Sequence, residues 1–372
     1  MKKRLLFYCQ PVLGIGHYIR SRAIVCALRD FDVCFVNGGE IVPGLEMPPE
    51  IEVVNLPALK SDAEFQQLQS GEPTQNLDEV KAQRTQQLLA VYQRVKPDVV
   101  VIELFPFGRR KFDFELLPLL ETIQSPAKVV CSLRDILVSK RQQAQFDDEA
   151  CALMNQYFDL LLIHSDPSFQ RLDETFPRVN ELSCDVRYTG FVAQSRALSE
   201  QQPNDTPQLL VSLGGGRVGH ELIDCAIDAS ALLTTPHRIH IVTGPHCPDE
   251  IFAPLQQRIA ARPTISLERF TPDFSSQLQQ ADLSVSLAGY NTCMDILSAG
   301  TRAILYPFTG NNNQEQTMRA RQLEQRGRVQ VLTQLNPAHL AAAITRSLQM
   351  PVPSITLDMN GAAETARLLS AL

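Results

Sequence analysis

The sequence has no tryptophan, no Cys-x-x-Cys pair and no tract of low complexity. It also lacks any apolar run of the roughly 18 residues that a membrane-spanning helix needs. Each gap removes an explanation. Without a long apolar run there is no candidate transmembrane helix. Nine scattered cysteines without paired spacing suit reduced core thiols in the cytoplasm better than a disulfide framework. With 17 phenylalanines and no tryptophan, the aromatics point to core packing rather than stacking on nucleic-acid bases. No Gly-Lys-Ser/Thr is present to make a P-loop, and no Gly-x-Ser-x-Gly to make a nucleophile elbow. Positive charge is in deficit, with a formal net charge of -7 and a pI near 5.6. That balance gives no general attraction for nucleic acid or an anionic membrane, so peripheral membrane contact would need a local patch. His237, His240 and His246 have no cysteine or carboxylate companion at zinc spacing, so no metal site is expected. The opening Met1-Lys2-Lys3-Arg4 before Leu5 imitates a signal peptide, but Gln10 and Pro11 end the apolar run and no small-residue cleavage site follows.

What is present is an ordinary folding composition, 44% hydrophobic and 20% charged, in 372 residues. That length exceeds what one core usually organises, so two domains are expected. Short runs rich in Val, Ile and Leu alternate with longer segments of helical period, the pattern of βαβ units and a parallel sheet. In the first half the expected strands are 5–9, 33–37, 52–55, 99–103, 129–133, 160–164 and 187–188, with helices over 20–29, 77–95, 114–123 and 147–157. The polar, proline-bearing stretch 199–207 shows no apolar period and reads as a linker. The alternation then restarts, with strands at 208–213, 239–243, 265–268, 283–287, 303–306 and 329–332. Helices are expected over 220–233, 249–261, 273–280, 292–299, 314–326 and 337–348. The expected organisation is α/β: two doubly wound domains over 1–198 and 208–350, and a C-terminal helical segment over 351–372 that can pack back on the first.

Ligands of such sheets lie beyond the carboxyl ends of the strands, so the loops there attract the functional reading. Gly14-Ile15-Gly16-His17 follows the first strand and leads into a helix whose N-terminal amides favour an anion. His17 stands at this turn either as a base or as a filler of the turn. The third glycine of a dinucleotide fingerprint is missing. In the second half, Gly214, Gly215 and Gly216 let backbone amides approach a diphosphate, and Arg217 can add a charge-assisted contact, although a flexible turn is the plainer alternative. In the segment Ser286 to Gly300, Asn291 or Thr292 can cap a helix with Asp295 a turn further in, which suits phosphate and ribose together. The uncharged loop from Pro307 to Gln316 carries side chains that donate and accept, as sugar hydroxyls require.

Glu103 closes a strand that reads as buried, where an acid is costly unless it is paired or faces a ligand. Arg109, Arg110 and Lys111 follow it and can meet an anionic acceptor. Arg134 and Asp135 close another strand and can pair with each other or with loop charges.

Taken in order, the glycine turn, Gly289-Tyr290-Asn291-Thr292, the acid Asp295, Gly300 after the helix and the loop ending Gln314-Glu315-Gln316 resemble the C-terminal half of family 28 glycosyltransferases across 208–330. The resemblance implies a GT-B architecture, two Rossmann-like domains facing across a cleft, with a nucleotide-sugar as substrate and no metal or cofactor required. It places the diphosphate near Gly215, Gly216, Asn291 and Thr292, the ribose on Asp295, the base against Phe270, and the donor sugar near Glu315 and Gln316, with Gly214, Arg217 and Gly289 also expected on the donor side. Two departures stand out. The family acid is commonly glutamate where this chain has Asp295, and the N-terminal half matches only at 14–17, where the family has a more glycine-rich run. The acceptor side, expected at Gly14, Gly16, Arg109, Arg110, Arg134 and Asp135, resembles instead a less characterised branch of predicted glycosyltransferases. The expected chemistry is inverting transfer from a nucleotide-diphosphate donor, a UDP-sugar favoured, to an acceptor hydroxyl, with His17 as the base and Glu103 its rival. A nucleotide-sugar hydrolase or epimerase on the same scaffold and a non-catalytic nucleotide-sugar sensor are the alternatives. Acceptor-dependent product formation separates the first pair from a transferase, and donor binding without turnover marks the sensor.

Overall fold

A computed structural model describes residues 2–12, 15–42, 44–61, 68–71, 76–138, 142–193, 205–310, 314–351 and 357–372. Gly14, Asn311 to Asn313 of the amide-rich loop, 199–204 of the expected linker, and 352–356 lie outside the described residues. The chain divides into two units, 1–192 with 357–372, and 193–356.

The first unit runs β1 (Lys3–Cys9), α1 (Gly16–Ala27), β2 (Phe31–Asn37), β3 (Glu52–Asn55), β4 (Leu59–Ser61), β5 (Leu68–Ser70), α2 (Leu77–Val95), β6 (Val99–Glu103), α3 (Asp113–Thr122), β7 (Lys128–Arg134), α4 (Gln143–Tyr157), β8 (Leu160–His164) and β9 (Asp185–Tyr188). Seven of these strands form a parallel sheet in the order β3-β2-β1-β6-β7-β8-β9, while β4 and β5 pair antiparallel. Alternate residues of a strand face opposite ways, and here both faces are covered. Leu6 and Tyr8 of β1 join a core with Leu88 of α2 and Leu116 of α3. Phe7, from the other face, stacks on Phe35 at 5.8 Å, and Tyr18 of α1 meets Phe35 edge-on at 5.7 Å. Strands buried on two sides read as continuous apolar runs, which is why the main ones were legible. The β4–β5 pair was not, because three-residue strands carry no period.

The helix after β1 begins at Gly16, four residues before the expected start, so His17 lies in its first turn. No side chain caps it, and a glycine opening supplies no start signal.

Behind the carboxyl ends of β1 and β2 lies a charged pair with no exposure, Arg84 of α2 and Glu115 of α3. Arg84 donates from Nε to Glu115 Oε2 at 2.9 Å and from Nη2 to Oε1 at 2.6 Å. The Tyr8 hydroxyl donates to the same Oε1 at 2.5 Å, and Arg84 donates further to Gln10 Oε1 at 2.6 Å, Gly38 O at 2.9 Å and Pro57 O at 2.6 Å. One arginine therefore ties the loops after β1, β2 and β3 to two helices.

The second unit runs β10 (Gln208–Ser212), α5 (His220–Ser230), β11 (Arg238–Val242), α6 (Asp249–Ile259), β12 (Ile265–Glu268), α7 (Phe274–Gln280), β13 (Leu283–Leu287), α8 (Tyr290–Ala299), β14 (Arg302–Tyr306), α9 (Glu315–Gln325), β15 (Gln330–Val331) and α10 (Pro337–Gln349). Its six-stranded parallel sheet has the order β12-β11-β10-β13-β14-β15. The expected class, two Rossmann-like parallel α/β sheets, is the one found. The last helix, α11 (Gly361–Ser370), packs on α1 of the first unit. Phe191 N–H donates to Asp358 O at 2.7 Å and Gly361 N–H to Phe191 O at 3.0 Å, which ties the chain end to the segment after β9.

Glu115→Gln leaves the Arg84 charge buried without its counter-ion. It is expected to lower the stability of the first unit by about 3–5 kcal/mol, read as an earlier urea transition. An unchanged midpoint would show that the pair contributes nothing net to the fold.

Candidate functional site

In the first unit β6 ends on Glu103, whose carboxylate has no exposure. His17 and Arg20 of α1 converge on its Oε1. The His17 Nδ1 lies 2.7 Å away, and an Arg20 guanidinium N–H donates to the same oxygen. The charge of Arg109, in the corner after β6, acts on both Glu103 and His17. Arg134, the last residue of β7, is close enough to act on Arg109. Leu104 and Arg109 bracket this corner with φ of 68° and 62°, a left-handed conformation that side-chain residues adopt only where the surroundings hold them. Arg110 does not share the cluster, and the expected basic patch divides. Its Nη2 lies 3.3 Å from Asp113 and 3.4 Å from Glu149, and its guanidinium lies 5.7 Å from the centre of the Phe105 ring. Asp135 is buried, with Oδ1 accepting the Ile136 N–H at 2.8 Å. Gly16 opens α1 beside His17.

The buried carboxylate sets the protonation states around it. Burial pushes the Glu103 carboxyl up, but His17, Arg20 and Arg109 outweigh that and hold it ionised, well below the usual carboxylate range. Burial lowers His17 to about 4 against the pull of Glu103, and the two arginines lower it further, so the ring is neutral at pH 7. An ionised carboxylate only accepts, so the proton of the neutral ring sits on Nδ1 and points at Glu103. The Nε2 lone pair is then the basic site. His17 has 18% of its side chain exposed, against 3% for Arg20 and none for Glu103, so a ligand reaches the imidazole first. Two strands along the sheet from β6, the fully buried His164 of β8 places Nε2 2.8 Å from Ser132 Oγ and Nδ1 2.9 Å from Thr189 Oγ1. Burial, followed by the nearby Arg20, lowers it to about 3. Sequence reasoning missed Arg20 and His164.

In the second unit the glycines after β10 meet a loop that sequence reasoning also missed. Gly216 has φ 86° and Gly244, after β11, has φ 103°. A Cβ on Gly244 would sit 2.4 Å from Gly214 O and Gly216 N, and one on Gly216 2.7 Å from Thr243 O. The loops touch backbone to backbone, and only glycine fits there. Gly244 N–H donates to Arg269 O at 2.7 Å, which brings the Arg269-Phe270 turn alongside, with Phe270 half-buried. On the other side, a Cβ on Gly214 or Gly289 would lie 3.6 or 4.0 Å from Thr292 Oγ1, so the glycine turn and the start of α8 meet at Thr292.

Gly289, not Asn291 or Thr292, is the cap of α8, and it makes no side-chain bond. Cys293 N–H already donates to Gly289 O at 3.0 Å, which puts Asn291 and Thr292 in the first turn with their amides at the positive end of the helix. Asp295 follows on the same helix, 9% exposed. Arg217 is half-buried beyond the glycines. Glu315 and Gln316 open α9, both engaged with protein. Glu315 Oε1 accepts from Arg319 at 2.7 Å, and Gln316 Oε1 accepts the N–H groups of Ala288 at 3.1 Å and Phe308 at 3.0 Å. Among the described residues no group of three or more His, Cys, Asp or Glu could hold a metal ion, and no helix is long and apolar enough to cross a membrane.

Residues 209–369 match the glycosyltransferase family 28 C-terminal domain, which bears out the resemblance read from the second half. Among curated proteins, a UDP-N-acetylglucosamine--N-acetylmuramyl-(pentapeptide) pyrophosphoryl-undecaprenol N-acetylglucosamine transferase of Syntrophotalea carbinolica is 32% identical over 178 residues, covering 43% of this chain and 47% of the relative. The enzyme of the same name from Hahella chejuensis is 28% identical over 173 residues, 46% of each chain. The chain thus spans about half the length of the curated relatives it matches. Among solved structures, the calicheamicin glycosyltransferase CalG4 superposes over 100% of this chain and 95% of its own with a TM-score of 0.60 at 18% identity. MurG of Acinetobacter baumannii does so over 98% and 95% with a TM-score of 0.55 at 16% identity. The fold is that of these glycosyltransferases.

Lowered imidazole pKa values have a consequence for stability. His17 and His164 bind protons in the unfolded chain near the ordinary value of about 6.5, but in the fold only near 4 and 3. The unfolded state therefore takes up more protons as pH falls, and the first unit is expected to lose stability steadily from about pH 7 toward pH 4. Imidazole nitrogen NMR should show both rings neutral at pH 6. A ring of His17 that titrates at the ordinary value would contradict the buried-charge account.

Proposed function

We propose that this chain is a glycosyltransferase that moves a sugar from a nucleotide-diphosphate donor, a UDP-sugar by preference, to an acceptor hydroxyl with inversion and without a metal. The observation that carries the reading is the meeting of the Gly214–Gly216 turn with the start of α8, inside the segment that matches the family 28 domain. In this reading the amides of Gly215, Gly216, Asn291 and Thr292 receive the diphosphate, Asp295 the ribose, and Phe270 the base. The donor sugar lies toward Glu315 and Gln316. Fixed amides and a helix N-terminus stabilise a leaving diphosphate as charge builds on it, the role a metal fills elsewhere. The UDP-N-acetylglucosamine in the names of the curated relatives supports uridine in the donor.

On the acceptor side, the His17 Nε2 takes the proton of the attacking hydroxyl while the bond from the anomeric carbon to the diphosphate oxygen breaks on the opposite face. Glu103 favours an orienting role. It is fully buried, held ionised, and bonded to the Nδ1 side of the ring. Arg109 and Arg134 suit an acceptor with a negative group, and nine cysteines with no disulfide among them support a reaction in the cytoplasm.

His17→Ala is expected to lower kcat by roughly 10^2- to 10^4-fold with donor affinity nearly unchanged. Glu103→Gln should lower kcat through a misoriented ring, and full activity in both variants would exclude this site as the base. Asp295→Asn is expected to weaken UDP binding by about 1–3 kcal/mol through the ribose hydroxyls. Equal affinity of the parent protein for uridine and dideoxyuridine diphosphates would remove that assignment. Release of UDP at the same rate with and without an acceptor would mark a hydrolase instead.

A further inference from the structure

We propose that Arg319, working with Gln316, is a positioning residue that aims the N-terminal end of α8 at the donor diphosphate. The proposal rests on the donor reading above and adds residues to it. Arg319 is among the largest side chains without exposure. A buried guanidinium is costly unless its donors are engaged, and here they have specific targets. Nη1 donates to Ala288 O at 2.8 Å and Nη2 to Glu315 Oε1 at 2.7 Å, and the guanidinium stands 5.7 Å from the centre of the Tyr290 ring. Gln316, three residues earlier on the same helix, accepts the Ala288 N–H. Both backbone polar groups of Ala288 are therefore held by α9, and the Phe308 N–H beyond β14 is held by the same Gln316 oxygen.

Ala288 is the residue just before the α8 cap, and that cap is a glycine without a side-chain bond. The direction of the first turn is consequently set from α9. The choice of residue points to a ligand. A cation behind the positive end of a helix opposes the helix dipole, and a fold selected for stability alone is better served by a carboxylate there. The ion pair with Glu315 offsets part of that cost, and an anion at the α8 terminus reverses its sign. The same helix begins with the two residues assigned to the donor sugar, so α9 links the sugar and diphosphate ends of the donor.

The test is calorimetric titration of the full chain with UDP and with uridine, for the parent, Arg319→Lys and Gln316→Ala, with thermal melting as the check on folding. Lysine keeps the charge but loses the two-armed geometry. The expected result is a UDP dissociation constant raised roughly 10-fold or more in each variant, with uridine affinity unchanged. An unchanged UDP-to-uridine ratio in both variants overturns the proposal. Equal loss for the two ligands, or unfolding of both variants, identifies a strut of the unit and overturns it as well. A parent protein that binds no UDP overturns the donor reading itself, and this proposal with it.

Discussion

The Glu103 carboxylate has no contact with solvent, and ionising an acid in such a place is unfavourable unless positive groups are brought to it. Much of the first unit's functional geometry follows from that requirement. Arg20 must turn inward from α1, and it lies one turn after His17, so the imidazole is carried to the same oxygen. The corner after β6 must fold back to bring Arg109 near, and it does so through two residues in the left-handed region. Burial keeps the histidine neutral against the pull of the carboxylate, and the neighbouring arginines add to that. A neutral ring with its proton fixed on the buried side is the form a general base requires.

In the second unit the governing constraint is distance of approach. Two loops from adjacent strands touch through backbone atoms, and no side chain fits between them. Rigidity comes from below, where α9 holds the Ala288 peptide through Gln316 and Arg319. Two buried arginines, Arg84 and Arg319, thus do similar work in the two units. Each donates to backbone, Arg84 to two carbonyls and Arg319 to that of Ala288, and to a carboxylate of a neighbouring or the same helix, and each fixes a loop at the carboxyl end of a sheet.

Legibility in the sequence followed the physics of burial. The central strands of the two main sheets stood out because they are buried on both faces, and Glu103 stood out as an acid closing an apolar run. The partners of that acid did not. His17 lies 86 residues away, and Arg20 belongs to a helix where a lone arginine reads as a solvated residue. Arg84 and Arg319 were hidden for the same reason. Gly244 is a single glycine before a proline, with no pattern to distinguish it, and its need for glycine arises only from the loop opposite. The division of Arg109 from Arg110 was equally invisible, since adjacent residues in an irregular corner diverge by backbone dihedrals that charge does not encode. The start of α8 was misplaced because glycine caps without a side-chain signal.

The central claim is that the second unit receives a nucleoside diphosphate on the glycine turn and the α8 terminus. The most direct measurement is a crystal structure of the full chain grown with UDP. The account predicts the diphosphate against the amides of Gly215, Gly216 and Thr292, with the ribose hydroxyls on Asp295. UDP bound only beside Gly16 and His17 in the first unit, or no binding at millimolar concentration, would contradict it.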